Sequence, residues 1–376
     1  ALQITQTRIA FGLDLPELTV HGLHVSAAPD QALELDKAEL TWDGRDFLAQ
    51  GHLDTQDNDL PVIDVRLTSP DLDWSWIHTR FGPLSANFSR DGQDLKAGLP
   101  LQGQINIQIT NFHYQNRTIS PLYLTWNLSS LKTWTVHSHK QTRLCSISLP
   151  GKIRYHPGKI HFSVAPSYRS HDLAPVLECL LSSKARATGT LDLRGHIQGT
   201  APTAGELASH LGGELNFQVT EGRLLRFTLL SRILEILNST EIFFGSIPDL
   251  EQEGIRFTSL QGTATMQGSR IVIDKGLLLG HSLEMGFSGH LDLKEKHVDL
   301  IVLVAPLKTV DRLIKKIPVI SRLTRGNLIT IPVRVSGSWE DPRVTPLSPQ
   351  AVSKELVDLM RRTLELPLKI FQPLME

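Results

Sequence analysis

One segment of the sequence has the residue types of a nucleophilic site. Gly280-His-Ser282-Leu-Glu284 is similar to the G-x-S-x-G turn of serine hydrolases, but Glu284 replaces the second glycine. That turn connects a strand to a helix, whereas residues 283–287 continue as a predicted strand. We therefore expect no hydrolase chemistry at Ser282.

An acidic segment has part of the spacing of a calcium-binding loop. Asp54, Asp57 and Asp59 supply carboxylates, the groups that coordinate Ca²⁺. The glycine that such a loop needs at its centre is missing, and Val65 occupies the position of the bidentate glutamate. We interpret this segment as a solvated loop.

Histidines are the remaining metal-binding candidates. His137 and His139 lie near Cys145, and these residue types bind transition metals. Histidines that alternate along a strand are more typical of its polar face. The sequence contains no H-E-x-x-H motif and no phosphate-binding glycine loop. It predicts no catalytic residue, no metal site and no cofactor, and a protein that is not an enzyme.

The charge balance argues against one class of partner. The 376 residues include 38 Lys and Arg and 39 Asp and Glu, for a formal net charge of -1. Nucleic-acid-binding proteins usually carry a basic excess on one face, so we expect no nucleic-acid partner. No window approaches the roughly 18 apolar residues that span a bilayer. Because the sequence begins inside a predicted strand, we interpret it as part of a longer, anchored protein.

The cysteine count excludes two kinds of scaffold. With only Cys145 and Cys179, the chain forms neither a disulfide-rich fold nor a thiolate zinc cluster. In an oxidising compartment the two can pair, and otherwise they are inert thiols in apolar surroundings. The sequence leaves both alternatives open.

Alternating apolar and polar residues recur from end to end of the chain. A period of two is typical of strands that bury one face. Short turn sequences separate the runs, at residues 221–222, 267–269, 275–276 and 294–296. The pattern predicts a mainly β fold built as a long antiparallel meander with a few short amphipathic helices. The apolar positions assigned to one face are Ile105, Ile107, Ile109, Leu191, Leu193, Leu215, Phe217, Val219, Ile271, Ile273, Leu283, Met285, Phe287, Leu291, Leu293, Ile331 and Val333.

The regularity of the alternation divides the chain into four regions. Residues 1–148 form a less regular β region, and residues 188–347 a regular one. Residues 149–187 contain several prolines and are predicted to be an irregular crossover. Residues 348–376 are predicted to form an amphipathic helix and a tail.

Three short helices are predicted within residues 188–347, near 204–211, 227–238 and 310–317. A capping box, Thr203-x-x-Glu206, starts the first. The second presents an apolar stripe that either plugs one end of the sheet or gates it, formed by Leu230, Ile233, Leu234 and Leu237.

The C-terminal helix is predicted to begin at Ser348, with Pro349 in its first turn. Its apolar stripe lies beside Arg361 and Arg362. Such a helix packs as a terminal cap or lies on an anionic membrane surface, and both alternatives stay open.

A sheet that is apolar on one face must cover that face. The predicted helices are too few and too short to do so. A β-sandwich and a filled barrel are two solutions, and an open, curved sheet that holds acyl chains is a third. Periodicity alone does not choose among them.

From about Thr188 onward, the sequence resembles the AsmA-like C-terminal region of bacterial envelope proteins, the family that includes TamB and YhdP. Each matching segment is degenerate, but their order is distinctive. The segments are residues 195–200, 211–215, 220–224, 257–262, 271–274, 289–293 and 331–337, followed by Asp341-Pro342.

The resemblance implies a groove-like, half-pipe sheet whose apolar face binds phospholipid acyl chains. It implies a periplasmic protein, held in the inner membrane by an anchor absent from this chain, that moves phospholipid between the inner and outer membranes. In that compartment Cys145 and Cys179 are expected to pair if the fold brings them together. The alternative is a scaffold for outer-membrane protein assembly, with a closed sandwich core and contacts to envelope proteins.

Overall fold

The computed structural model describes most of the chain, in two compact units. The first unit comprises residues 1–166 and 198–207, and the second comprises residues 167–197 and 208–376. The described residues are 2–4, 7–9, 18–27, 33–54, 61–79, 102–114, 117–130, 133–180, 186–225, 231–233, 254–281, 283–306, 321–322, 329–338 and 341–365.

Strands of the first unit pair in a linear order, in which each long strand follows its neighbour in the chain. Both β1 and β2 pair with β3, and pairing then runs β3–β4–β5–β6–β7–β9–β10–β13–β14. The strands are β1 Leu2–Ile4, β2 Thr7–Ile9, β3 Leu18–Ala27, β4 Leu33–Trp42, β5 Arg45–Asp54, β6 Val62–Asp73, β7 Gln102–Tyr114, β8 Arg117–Ile119, β9 Leu122–Ser130, β10 Thr133–Ser138, β11 Arg143–Leu144, β12 Ile147–Ser148, β13 Gly151–His156 and β14 Lys159–Val164.

The second unit contains longer strands, also in a linear order. Strand β15 pairs with β16, and a second series runs β17–β18–β19–β20–β21–β23–β24. The strands are β15 Ser167–Asp172, β16 Arg186–Ala201 (the last four residues belong to the first unit), β17 Leu211–Leu225, β18 Ile255–Gln267, β19 Arg270–Gly280, β20 Leu283–Asp292, β21 His297–Pro306, β22 Ser321–Arg322, β23 Ile329–Ser338 and β24 Arg343–Pro346.

The predicted mainly β meander with short helices is confirmed. One described pair departs from antiparallel pairing, because β6 and β7 run parallel, with Val65 opposite Ile105. A parallel pair needs a crossover rather than a tight turn, and residues 74–101 lie between these two strands.

Helices occupy little of the described chain. They are α1 (residues 74–79), α2 Ala174–Leu180, α3 Ala204–Leu207 with a 3₁₀ turn Ala208–His210, a helical stretch at residues 231–233, a 3₁₀ turn Pro349–Ala351 and α4 Lys354–Glu365. The helix predicted near 204–211 is confirmed as α3 with its 3₁₀ turn, and the one predicted near 310–317 lies outside the described residues.

Helix α4 begins later than the sequence predicted. The Leu356 amide donates to the Ser353 hydroxyl over 3.3 Å, and the Val357 amide donates to the Ser353 carbonyl over 3.2 Å. Ser353 is therefore the N-cap. Ser348 instead starts the preceding turn, where its carbonyl accepts from the Ala351 amide.

Two of the predicted turns are wrong. Strand β17 runs through Glu221-Gly222, with Thr220 opposite Ser259 and Gly222 opposite Phe257 on either side. Lys275-Gly276 lies inside β19, where the register shifts as in a β-bulge. Turns and bulges use the same glycine-containing sequences. Only the pairing with a partner strand shows which of the two a given sequence forms.

Residues 149–187 are not the irregular crossover that was predicted. They contain β13, β14, β15 and α2. Their prolines lie between these strands or in the first turn of α2, where no ladder hydrogen bond is lost.

Candidate functional site: two apolar sheet faces

Strand register places the predicted apolar residues of the second unit on one face. Residues directly opposite each other in a sheet point to the same side. One row runs Val219, Leu260, Leu278, Met285, Val304 and Ile331. The next runs Phe217, Gly262, Gly276, Phe287, Val302 and Val333.

The remaining rows of this face continue the pattern. Strand β16 joins the same side, because a Cβ built on Gly189 would lie 2.8 Å from Cγ1 of Val219. Leu191 and Leu193 follow Gly189 at a spacing of two. Leu215, Ile273, Ile271, Leu291 and Leu283 occupy further positions of these rows.

Leu293 departs from the prediction. It follows the last residue of β20, its side chain is 42% exposed, and its amide donates to the Ser269 carbonyl in the turn region. The alternation Leu291-Asp292-Leu293 continues past the end of the strand, so spacing alone could not exclude it.

Burial varies across this face. Val302, Val304, Ile331 and Val333 on β21 and β23 are at most 8% exposed. Leu193, Leu215, Phe217, Ile271, Phe287 and Leu291, on β16, β17, β19 and β20, are only half-buried. Over β21 and β23 this face is thus a filled core. Over β16, β17, β19 and β20 the same face keeps apolar surface accessible.

The first unit carries its own apolar face. Register aligns one row across six strands, from β6 to β14 without the short strands: Val65, Ile105, Trp126, Val136, Ile153 and Phe162. All six side chains are half-buried. In the next row, Leu67, Ile107 and Leu124 are also half-buried, whereas Ile109 in the row after that is buried.

Aromatic side chains continue this apolar face toward the end of the β13–β14 hairpin. The rings of Trp126 and Trp134 are 6.0 Å apart in an edge contact, and Trp134 stacks on Tyr155 at 5.2 Å. The indole Nε1 of Trp126 is buried and has no hydrogen-bond partner. This side of the sheet is therefore apolar even at its Trp and Tyr residues, whose side chains also carry a polar group.

Helix α1 closes one end of the first unit's apolar face. Trp76 and Ile77 pack against the buried cluster of Leu72, Ile109, Phe112 and Leu122. Asp73 caps the helix, with Oδ1 accepting from the Trp76 amide over 2.7 Å. Hydrogen bonds from the Ser75 hydroxyl and that amide hold the pKa of Asp73 below its usual value.

Helix α4 covers part of the opposite face of the second unit. Leu356 and Met360 are 3% and 1% exposed and pack against Leu277, Leu303 and Ala305. The apolar stripe of the C-terminal helix is thus buried against the sheet. Of the two alternatives left open by the sequence, this packing favours the terminal cap.

Ion pairs lie on the same face as α4. Arg334 donates to both carboxylate oxygens of Asp299, over 2.9 and 2.7 Å, and this pairing lowers the pKa of Asp299. Glu284 lacks such a partner, because its Oε2 is buried without a hydrogen bond. Burial raises the pKa of Glu284 above its usual value.

The predicted plug or gate helix is largely outside the described residues. Residues 231–233 are helical, and Ile233 is 1% exposed, as a core-facing position requires. Leu230, Leu234 and Leu237 lie outside the described residues.

Described candidates for chemistry form no site. His139 shares a hydrogen bond of 2.8 Å with the Thr125 hydroxyl, and the described part of the chain contains no cluster of metal-binding side chains. Ser282, Asp57 and Asp59 lie outside the described residues.

A histidine, a threonine and an aspartate do form a hydrogen-bonded chain in the first unit. His21 Nε2 lies 2.8 Å from the Thr41 hydroxyl, which donates to Asp46 over 2.7 Å. A hydroxyl has one proton, and Thr41 gives it to Asp46. His21 must therefore donate to Thr41, and it cannot act as the base that activates this hydroxyl.

Both cysteines are oxidised. Cys145 and Cys179 are disulfide-bonded, and neither is a free thiol. Because the sequence contains no other cysteine, the expected pairing is confirmed.

Comparison with known proteins adds no relative. No protein-family model, curated protein or solved structure matches this chain. None of the helices in the described residues is long and apolar enough to cross a membrane. What the protein does is therefore inferred from its own residues.

Sequence reasoning missed five of the six residues in the first unit's apolar row. It identified Ile105 but not the other members, Val65, Trp126, Val136, Ile153 and Phe162. The signal was present in Lys152-Ile-Arg-Tyr-His156, where apolar and basic residues alternate strictly. Prolines on both sides of this short strand concealed it.

Proposed function

We infer that this protein is a bridge-like lipid-binding protein whose apolar sheet faces hold phospholipid acyl chains. The row of Val65, Ile105, Trp126, Val136, Ile153 and Phe162 carries the inference. Core residues are normally buried and surface residues normally polar, but this row is apolar and half-buried at every position.

An acyl chain suits such a row better than water does. Burial of each methylene group contributes about 0.8 kcal/mol, so a long chain gains substantially from lying along the row. The row offers no charged group. The one buried polar atom of the row is Nε1 of Trp126, which has no hydrogen-bond partner. Because water does not reach this atom, water on the row gives it no hydrogen bond.

The resemblance to the AsmA-like region extends the proposal to the cell envelope. In this interpretation the protein lies in the periplasm, is anchored to the inner membrane through a segment outside this chain, and moves phospholipid between the inner and outer membranes. The oxidised state of Cys145 and Cys179 supports an oxidising compartment. The half-buried apolar positions on β17, β19 and β20 support lipid binding by the second unit as well.

Photocrosslinking tests the assignment of faces. A photoreactive residue at Val65 or Ile105 should capture phospholipid in cells. The same residue at Arg66 or Gln108, exposed neighbours on the opposite face, should not. Native mass spectrometry of the purified chain should also show co-purified phospholipid. Equal labelling at both pairs of positions would refute the lipid path.

One observation favours the alternative, a scaffold for outer-membrane protein assembly with a closed core. Val302 and Val333 are 4% and 0% exposed, so this part of the second unit already is a filled core. If native mass spectrometry shows no bound lipid and neither Val65 nor Ile105 crosslinks to lipid, the scaffold becomes the better explanation.

A further inference from the structure

The sequence contains a long basic block that the neutral total charge conceals. Between Asp94 and Asp172 there is no acidic residue, and the same stretch holds nine Lys and Arg. Much of this block folds into β10, β13 and β14 of the first unit.

Strand alternation sends the basic residues of these strands to one side. In Lys152-Ile-Arg-Tyr-His156, Ile153 and Tyr155 belong to the apolar side, so Lys152, Arg154 and His156 point away from it. On the two neighbouring strands, His137, Lys159 and His161 occupy the same side. We call these six residues the basic face: His137, Lys152, Arg154, His156, Lys159 and His161.

Register places these residues directly opposite one another. His137 pairs with Lys152, Arg154 with His161, and His156 with Lys159. All but His161 are exposed. No carboxylate stands directly opposite Lys152, Arg154 or Lys159, so pairing across these strands neutralises none of the three cations.

Lys152, Arg154 and Lys159 form no ion pair with a described carboxylate. His161 responds to the resulting field. Partial burial and the positive charges of Lys159 and Arg154 keep its pKa below the usual value.

We propose that the basic face docks the protein on a bilayer of anionic phospholipid. A sheet presents its cations in two dimensions, which matches the charged surface of a bilayer. On the reverse of the same strands, Trp134 and Tyr155 stack near the tip of the β13–β14 hairpin. Trp and Tyr are the residues that favour the headgroup region of a membrane.

This docking surface is separate from the acyl-chain row and goes beyond the proposed function. The cations that drive docking lie on the face opposite to the apolar row. Loss of docking therefore leaves bound lipid unchanged, and loss of bound lipid leaves docking unchanged.

Vesicle flotation tests the proposal. The purified chain should float with phosphatidylglycerol-containing vesicles and not with pure phosphatidylcholine vesicles, and rising salt should weaken the binding. The triple variant Lys152→Gln, Arg154→Gln, Lys159→Gln should bind the anionic vesicles on the order of a hundredfold more weakly, at about fivefold per basic residue.

A matched variant controls for total charge. Arg256→Gln, Lys294→Gln, Lys296→Gln removes the same three charges from exposed positions of the second unit, and it should bind as the parent does. Native mass spectrometry of the triple variant should show the same co-purified lipid as the parent. Single variants at Lys152 and Lys159 provide the same comparison if the triple variant does not fold.

Three results would overturn the proposal. The parent could bind both kinds of vesicle equally, the triple variant could bind as well as its matched control, or heparin could retain the parent while anionic vesicles do not. The last result would assign the basic face to a soluble polyanion.

Discussion

The ring of Phe287 lies over Gly276, its direct register partner across β19 and β20. A Cβ on Gly276 would overlap three atoms of that ring. Phe217 covers Gly262 in the same row, where a Cβ would lie 2.6 Å from Cζ. Two adjacent glycines thus make room for two aromatic rings on the apolar face of the second unit.

Gly276→Ala should therefore destabilise the protein. Phe287 would have to leave its rotamer, at a cost of about 1–3 kcal/mol, which urea denaturation measures as a lower midpoint. Gly205→Ala in α3 is the control, because its Cβ would contact nothing and alanine favours a helix. Equal midpoints for the two variants would contradict the packing of Phe287 on Gly276.

Glutamate substitutions on the apolar face of the second unit should distinguish the filled part of this face from its accessible part. Val333→Glu buries an unpaired charge at a position that is 0% exposed, so it should cost several kcal/mol and unfold much of the protein. Phe217→Glu, at a half-buried position, should cost less, because the carboxylate can reach water. Thermal melting followed by circular dichroism gives the order of stability.

Gln218→Glu on the opposite face is the control for both variants and should change stability by less than about 0.5 kcal/mol. If Phe217→Glu were as damaging as Val333→Glu, the accessible part would in fact be a closed core.

Glu284 should make the protein less stable as the pH rises. The unfolded chain ionises near the ordinary value of 4.5, whereas burial raises the pKa of the folded state. The unfolded state therefore loses its proton first, and stability falls from about pH 4.5 upward through the raised pKa. Glu284→Gln should remove this slope and stabilise the protein at pH 7 by on the order of 1 kcal/mol, with little effect at pH 4.

Urea denaturation at several pH values measures this difference. Asp299→Asn is an informative comparison, because the pKa of Asp299 is lowered by Arg334. Loss of this carboxylate should destabilise the protein at pH 7 and have a smaller effect at low pH. A Glu284→Gln effect that is independent of pH would contradict the role of its charge.

Ser353→Ala should weaken α4. Removal of an N-cap hydroxyl costs about 1 kcal/mol, and this one accepts from the Leu356 amide. Ser348→Ala, at the position that the sequence first indicated, should have little effect. Hydrogen exchange of the α4 amides measures both, and a larger effect of Ser348→Ala would move the start of the helix.

The two cysteines should give no free thiol until the protein is reduced. Maleimide labelling of the denatured chain should modify neither Cys145 nor Cys179 before reduction and both of them afterwards. Reduction should lower the free energy of unfolding by about 2–4 kcal/mol. The double variant Cys145→Ser, Cys179→Ser should not respond to reductant, and labelling of the unreduced parent would contradict the bond.

Local geometry explains what the sequence predicted correctly. Side chains alternate between the two sides of every strand, so the spacing of Leu215, Phe217 and Val219 determined that they share a face. The same reasoning placed sixteen of the seventeen predicted residues on the apolar face of one or the other unit. It failed at Leu293, because a spacing of two does not reveal where the strand ends.

Tertiary structure decided the features that depend on a partner strand or on what covers a face. Gly276 could open a turn or sit in a bulge, and the structure places it in a bulge because β19 stays paired with β20 on both sides of the register shift. Val136 and Val333 look alike in sequence, yet one is half-buried and the other fully buried. Burial depends on residues distant in the chain, so alternation determines which face is apolar, and only packing determines which part of that face stays accessible.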